Sequence, residues 1–358
     1  MCIRDSNGSG SGHVRVYKYN GSTWDQIGAD IYGEAANDQS GLNVSLSSDG
    51  TIIAIGARNN DGNGSNSGHV RVYQYVSGLY GSEWIQVGYD LDGEATNNYF
   101  GYSVSLSKDG SVLVAGAHGY NSNTGRVYTY ELVKKPITTM AVMGMPISGY
   151  PHDSGQFGFS VSSNADGSVI AIGSIRRDIP LFDSGGVYIY KWEGNNWNNI
   201  GYIGGEGYYD LFGNSVSLNG DGTRVAIGSK ANYGAGGPRS GHVRVHEWNG
   251  STWDQMGADI DGEASEDNSG HSVSLSDDGS IVAIGAIQHD GSKGHVRVYK
   301  YNGSIWQQRG NDIDGEAAGD ESGQSISLSA DGTIVAIGSS KINNSRGHVR
   351  VHKWDGSS

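Results

Sequence analysis

Histidine is the residue whose spacing first invites a chemical reading. His13, His69, His242, His295 and His348 each follow a glycine and open an alternating run, as in Gly12-His13-Val14-Arg15-Val16-Tyr17. Imidazole near neutral pH can serve as a base, a proton relay or a metal ligand. A catalyst is needed once, however, and a group present in most copies of a pattern points to structure. His246 and His352 stand where other copies carry Tyr, which also indicates packing. His118, His152, His271 and His289 are singular. His152-Asp153 sets an imidazole beside an acid in the most irregular stretch, as a general base would need. No phosphate loop, zinc spacing or nucleophile elbow accompanies them, so the sequence points away from an enzyme. Cys2 is the one cysteine, which rules out an internal disulfide.

Carboxylates are the second chemical resource. The chain has 38 acidic and 24 basic residues and a formal charge of −14. That balance argues against a nucleic-acid partner, whose phosphates need clustered Lys and Arg. Four loops concentrate the acids: Asp30, Glu34 and Asp38; Asp90, Asp92 and Glu94; Asp259, Asp261, Glu263, Glu266 and Asp267; Asp312, Asp314, Glu316, Asp320 and Glu321. They could form a cation-rich ligand-binding face. The alternative, which is favoured, is a solvated rim of inherited turn-capping acids. The loop Asn59 to Ser65 offers oxygens at alternate positions, making Asp61 and Asn63 candidate ligands for calcium, the one cofactor the composition suggests. Trp24, Trp84, Trp197, Trp253 and Trp306 recur at one position, with Met140 there in one copy. They read as a glycan-stacking series or, preferably, as covers for the outer strand of each unit.

These residues sit on a repeat. The glycine-led run recurs from Gly68, Gly125, Gly186, Gly241, Gly294 and Gly347, with Tyr17 matched to Tyr73, Tyr128, Tyr188, His246, Tyr299 and His352. The copies at Gly125 and Gly186 read as shortened. Steps of 53 to 60 residues suit a four-stranded propeller blade better than a solenoid unit. Each period holds a first strand such as Ser103 to Ser107, an Asp-Gly turn and a second strand, Val112 to Gly116. A long loop, the glycine-led third strand, an Asn-Gly turn and a fourth strand follow. Asp-Gly and Asn-Gly between alternating runs signal hairpins, and no segment has helical periodicity. Many tight turns also account for 59 glycines. The expected fold is an all-β propeller over residues 7–358, after a foreign or artefactual leader at 1–6. Both ends are expected to be incomplete. Seven blade positions are favoured over six, which requires Gly347 to Trp354 to pair with Ile334 to Gly338 rather than yield that place to Gly12 to Tyr19. The most apolar stretch, Ile137 to Ile147, is too short to span a membrane and contains Pro146.

Phe100-Gly101 before a first strand and Ala115-Gly116-Ala117 ending a second recur as Phe157-Gly158 with Ile172-Gly173-Ser174, and as Phe212-Gly213 with Ile227-Gly228-Ser229. With the following Gly-x-Val strand, this resembles the FG-GAP repeat of integrin α-subunit propellers and of microbial surface proteins. The resemblance implies a propeller, commonly seven-bladed, used outside the cell or at its surface for adhesion. Integrin-type repeats often hold calcium between their first two strands. Here the stretch is Ser47-Ser48-Asp49-Gly50-Thr51, and at the nearest match, Asn219-Gly220-Asp221-Gly222, Val225 fills the last ligand position. Calcium wants about six or more oxygens. Asp49, Asp109, Asp166, Asp221, Asp278 and Asp331 therefore read as turn formers. Strand alternation puts the loops after second and fourth strands on one face, where function concentrates. The favoured function is a binding module for a protein or glycan. A polysaccharide-acting enzyme and a structural spacer are the alternatives, and only Glu131 to Phe157 and Gly204 to Asp210 break the repeat strongly. The oligomeric state is not legible.

Overall fold

A computed structural model describes residues 2–5, 10–78, 81–133, 139–150, 154–178, 181–341 and 347–356, with backbone alone at 2–5 and 78. His152 and Asp153 lie outside the described residues. The chain is all-β, and its seven antiparallel sheets are the blades of a β-propeller. It divides into two compact units, Met1–Gly167 with Trp192–Trp197, and Ser168–Lys191 with Asn198–Ser358.

The second sheet of the first unit shows the repeat: Asn43–Leu46, Ile52–Ala57, His69–Gly78 and Gly81–Gln86, each paired with the next. The third sheet repeats it with Ser103–Leu106, Val112–Ala117, Arg126–Val133 and Thr139–Val142. In the second unit, Ser215–Leu218, Arg224–Ser229, His242–Trp248 and Trp253–Gln255 form one sheet, and Ser269–Leu275, Ile281–Ala286, His295–Tyr301 and Trp306–Gln308 another. The fourth sheet, Phe157–Ser163, Val169–Ser174, Gly186–Trp192 and Trp197–Gly204, falls on the division between units. The terminal sheets stay separate. His348–Lys353 pairs with Ile334–Ser339, its own second strand, as seven positions require. Cys2–Asp5 runs antiparallel to His13–Val16, beside the first copy of the third strand.

Second strands such as Ile52–Ala57 and Val112–Ala117 are buried at every residue, because sheets cover both of their faces. First strands are less completely buried, and their serines bind the neighbouring sheet. Ser45 Oγ accepts from Leu106 N at 2.9 Å, and Ser217 Oγ from Leu275 N at 3.0 Å. Where a second strand meets the start of the next sheet's first strand, only glycine fits. A Cβ on Gly56 would lie 2.1 Å from the carbonyl oxygen of Gly101, and one on Gly228 2.1 Å from that of Gly270. The fourth strand is broken. Trp84–Gln86 pairs with Tyr73–Tyr75, the chain turns at Gly88 (φ +73°), and Leu91–Asp92 rejoins the start of the same third strand.

Two expectations need correction. Tyr128 and Tyr188 are not the matches of Tyr73. Ile53 pairs with Tyr73, and its equivalents Leu113 and Ile170 pair with Tyr130 and Tyr190. These third strands are not shortened; Tyr128 and Tyr188 hold the place of Arg71. A two-residue error keeps the same face, so alternation could not reveal it. The tryptophans, in turn, do not cover their own sheet's outer strand. Trp84 Nε1 donates to Ile27 O at 3.0 Å and Trp306 Nε1 to Met256 O at 2.7 Å, each in the preceding sheet. Trp253 packs where a Cβ on Gly201 would sit. The ring also meets an aromatic of its own hairpin in a tilted contact, as in Tyr75–Trp84 at 5.2 Å and Trp248–Trp253 at 5.6 Å.

The Asp-Gly turns are closed by their own carboxylates. Asp49 Oδ1 accepts from Ser47 Oγ at 2.7 Å and from Thr51 N at 2.9 Å, and Asp331 does the same with Ser329 and Thr333. These bonds hold Asp49 below the usual carboxylate range and bring Asp331 down to about 2. A depressed folded-state pKa contributes stability above the unfolded pKa and loses it as pH falls through the folded one. Thermal melts should therefore weaken progressively from about pH 4 toward pH 2, with a smaller acid-dependent loss in Asp49→Asn than in the parent.

Candidate functional site

The long-loop face is built by interlocking two loop types. Asn59 N donates to Asp38 O at 3.3 Å, Ala231 N to Asp210 O at 3.3 Å, and Gln288 N to Asp267 O at 3.2 Å. Each bond joins the loop after a second strand to the loop that enters the same sheet. The acids predicted for this face lie here, and most are engaged in loop structure.

The first acid of each loop faces inward. Asp30, Asp90, Asp259 and Asp312 accept from Gln26, Gln86, Gln255 and Gln308 at 2.6 to 2.7 Å. Three of them lie 3.7 to 3.8 Å from the repeat histidines His13, His242 and His295. Burial works against ionisation of Asp30, yet the bonds from Gln26 and Arg15 hold it below its usual range. The histidines are buried, and desolvation drives His69 and His295 to about 4 despite nearby acids.

The glutamates reach forward. Glu34 meets Arg71 at 3.5 Å, Glu94 meets Arg126 at 3.1 Å and Glu263 meets Arg297 at 3.3 Å, each Arg being on the next sheet's third strand. Glu206, outside the predicted set, pairs with Arg244 at 2.8 Å. Burial raises the Glu34 pKa; Arg71 opposes this, while Asp90, Asp38 and Asp92 add to it. Three of these arginines also hold backbone. Arg71 Nη2 donates to Tyr32 O at 2.6 Å, Arg244 to Gly204 O at 2.8 Å and Arg297 to Asp261 O at 2.7 Å. Arg350 treats Asp314 O alike at 2.5 Å.

The remaining acids close turns or sit at the rim. Asp38, Asp267 and Asp320 are buried and accept from Ala35, Ala264 and Ala317 N at 2.7 to 2.9 Å. Asp210, also missed in the sequence, binds Glu206 N and Gly207 N likewise. Asp92, Asp261 and Asp314 pair across from His69, His242 and His295. Burial, then Asp90, raises Asp92. Glu266 and Glu321 pair at the surface with Arg239 and Lys341, and Glu316 is exposed. Asp61 Oδ1 accepts from Asn66 N at 2.8 Å, and Asn63 Nδ2 donates to Gly93 O at 3.0 Å, so both tie down their loop. Two groups bring metal-ligand types together: Glu34, His69 and Asp90, and Glu263, His289 and His295.

A feature outside the predicted set lies on the second unit. Phe182, Tyr208, Tyr209 and Tyr233 are all more than half exposed. Tyr209 N donates to Phe182 O at 3.1 Å, and the two rings meet edge-on at 5.4 Å. Tyr209 adopts a left-handed backbone (φ +62°) where other copies have Asn37 and Asn97. Asn tolerates that region, while a bulky residue there is strained. The signal was the break in repeat at Gly204 to Asp210.

Repeated four-stranded sheets with interlocked long loops define a β-propeller of the binding or scaffold class. The family profile of the FG-GAP repeat matches residues 33–73 and 91–130, stretches that fall on the second and third sheets of this propeller. No curated protein matches it. No helix among the described residues is long and apolar enough to cross a membrane.

The arginine should matter far more than its carboxylate. Arg71 is 6% exposed and bonds a carbonyl, whereas the Glu34 side chain is 46% exposed. Arg71→Met should cost about 2–4 kcal/mol in urea unfolding, and Glu34→Gln under about 1 kcal/mol.

Proposed function

We propose that this chain is a binding module outside the cell or at its surface, and that its long-loop face meets a protein or glycan ligand. The exposed aromatic group of Phe182, Tyr208 and Tyr209 carries this reading. Large amphipathic rings held rigidly at a surface supply contact area at low entropic cost, which suits both ligand types. The strained backbone of Tyr209 supports it, since strain collects at ligand contacts. The buried repeat histidines and the carboxylates engaged by the scaffold favour binding over catalysis. The FG-GAP repeat supports an extracellular setting.

The test is a screen of the intact chain on arrayed polysaccharides and extracellular proteins, followed by titration of each hit. Replacing Phe182, Tyr208 and Tyr209 together by Ala should weaken binding at least about tenfold with little change in melting temperature. Equal binding by the triple variant would remove the aromatic group from the ligand site.

A further inference from the structure

We propose that Glu263, His289 and His295 form a site for one divalent transition-metal ion, with zinc as the fitting ion. The proposal is independent of the ligand reading above. One ligand atom from each residue lies within 4.8 Å of the others, and the two imidazole centroids are 4.0 Å apart. His295 is 1% exposed, and neither of its ring nitrogens has a hydrogen-bond partner. A buried polar atom left without a partner is costly, and such groups often mark a ligand. Negative charge surrounds the rings. Asp267 Oδ1 is 3.1 Å from His289 Nδ1, and Asp312 Oδ2 is 3.8 Å from His295 Nδ1. Carboxylates behind metal-bound imidazoles orient them and strengthen them as ligands. The opposing contact is Arg297 Nη1, at 3.3 Å from Glu263 Oε1, which the metal would have to share.

Two imidazoles and a carboxylate are the donors of a three-ligand zinc site with a fourth position open. Calcium, which prefers oxygens, is a poor match. Tetrahedral zinc with bonds of about 2.0–2.1 Å holds its ligands about 3.3 Å apart, so the group must close by a side-chain rotation. His289 can supply that movement and an entry path, because it lines an open depression with Glu266, Asp267 and Gln288.

Among the described residues, the site is singular in the repeat. His289 lies three residues beyond the second strand, where other copies carry Asn60 and Asn232. Asn60 Nδ2 donates to Asp38 Oδ2 at 3.2 Å, and His289 faces the equivalent Asp267. The parallel group of Glu34, His69 and Asp90 therefore has only one imidazole.

Calorimetric titration of the chelator-treated full chain with zinc chloride tests this. The expected result is one-to-one binding, weakened roughly 100-fold or more in His289→Asn and unchanged in Glu34→Gln. Cobalt(II) should give intense visible absorption that His289→Asn abolishes. Asn60 and Asn232 show that Asn suits this loop, and the exposed Glu263→Gln is a second variant that must also weaken zinc binding. No zinc binding, equal binding by His289→Asn and Glu263→Gln, or displacement of zinc by equimolar calcium would overturn the proposal.

Discussion

Four of the sheets are locked to the next through a contact that admits no side chain. Gly56 lies under the carbonyl of Gly101, Gly116 under that of Gly158, and Gly285 under that of Gly323. Because these backbones touch, the fully buried second strands reach packing distance. The Phe-Gly and Ala-Gly-Ala signatures are therefore one contact seen from two sides. The phenylalanine follows from the same approach. Gly68, with φ +76°, bridges Phe100 in parallel, and Phe100, Phe157 and Phe212 are among the largest fully buried side chains. In later copies Ser269 and Ser322 take the same bridge, so the backbone contact persists where the ring does not.

That approach leaves loop backbone buried, and the third-strand arginine satisfies part of it. Arg71, Arg244 and Arg297 each place a guanidinium on a carbonyl of the preceding loop and on its glutamate. The buried aspartates then cap the same loops from within. The acidic face is thus mostly a framework, with its charges distributed among arginine, glutamine and backbone amides. This explains how so negative a chain tolerates closely set carboxylates: hydrogen bonds offset what like-charge repulsion would cost.

Much of this was legible because local chemistry and global fold agree. Asp-Gly turns, alternating serines and continuous apolar second strands could only be hairpins stacked as sheets. The register at Tyr128 and Tyr188 was not legible, because a side chain two places along a strand points the same way. The partners of the tryptophans were hidden for another reason. Trp84 and Trp306 bond carbonyls some fifty residues earlier, and no local pattern encodes which sheet a ring will face. The arginine was visible three places after the glycine in five copies, as at Arg15, Arg71, Arg244, Arg297 and Arg350, yet its loop partners emerge only when sheets are set side by side.

What breaks the repeat then carries the most information. A residue present in every copy must satisfy the scaffold everywhere, so it is poorly placed to recognise one ligand. Residues that depart at a structurally equivalent place keep the scaffold's geometry while changing the chemistry offered there. Tyr209 does this where Asn37 and Asn97 keep a left-handed turn, and it thereby sets a rigid ring against Phe182. His289 does it where Asn60 closes a loop, and it thereby brings a second imidazole to a buried one. Both substitutions lie on the long-loop face of the second unit. The repeat supplies the rigid positions, and specific chemistry enters by single replacement at them.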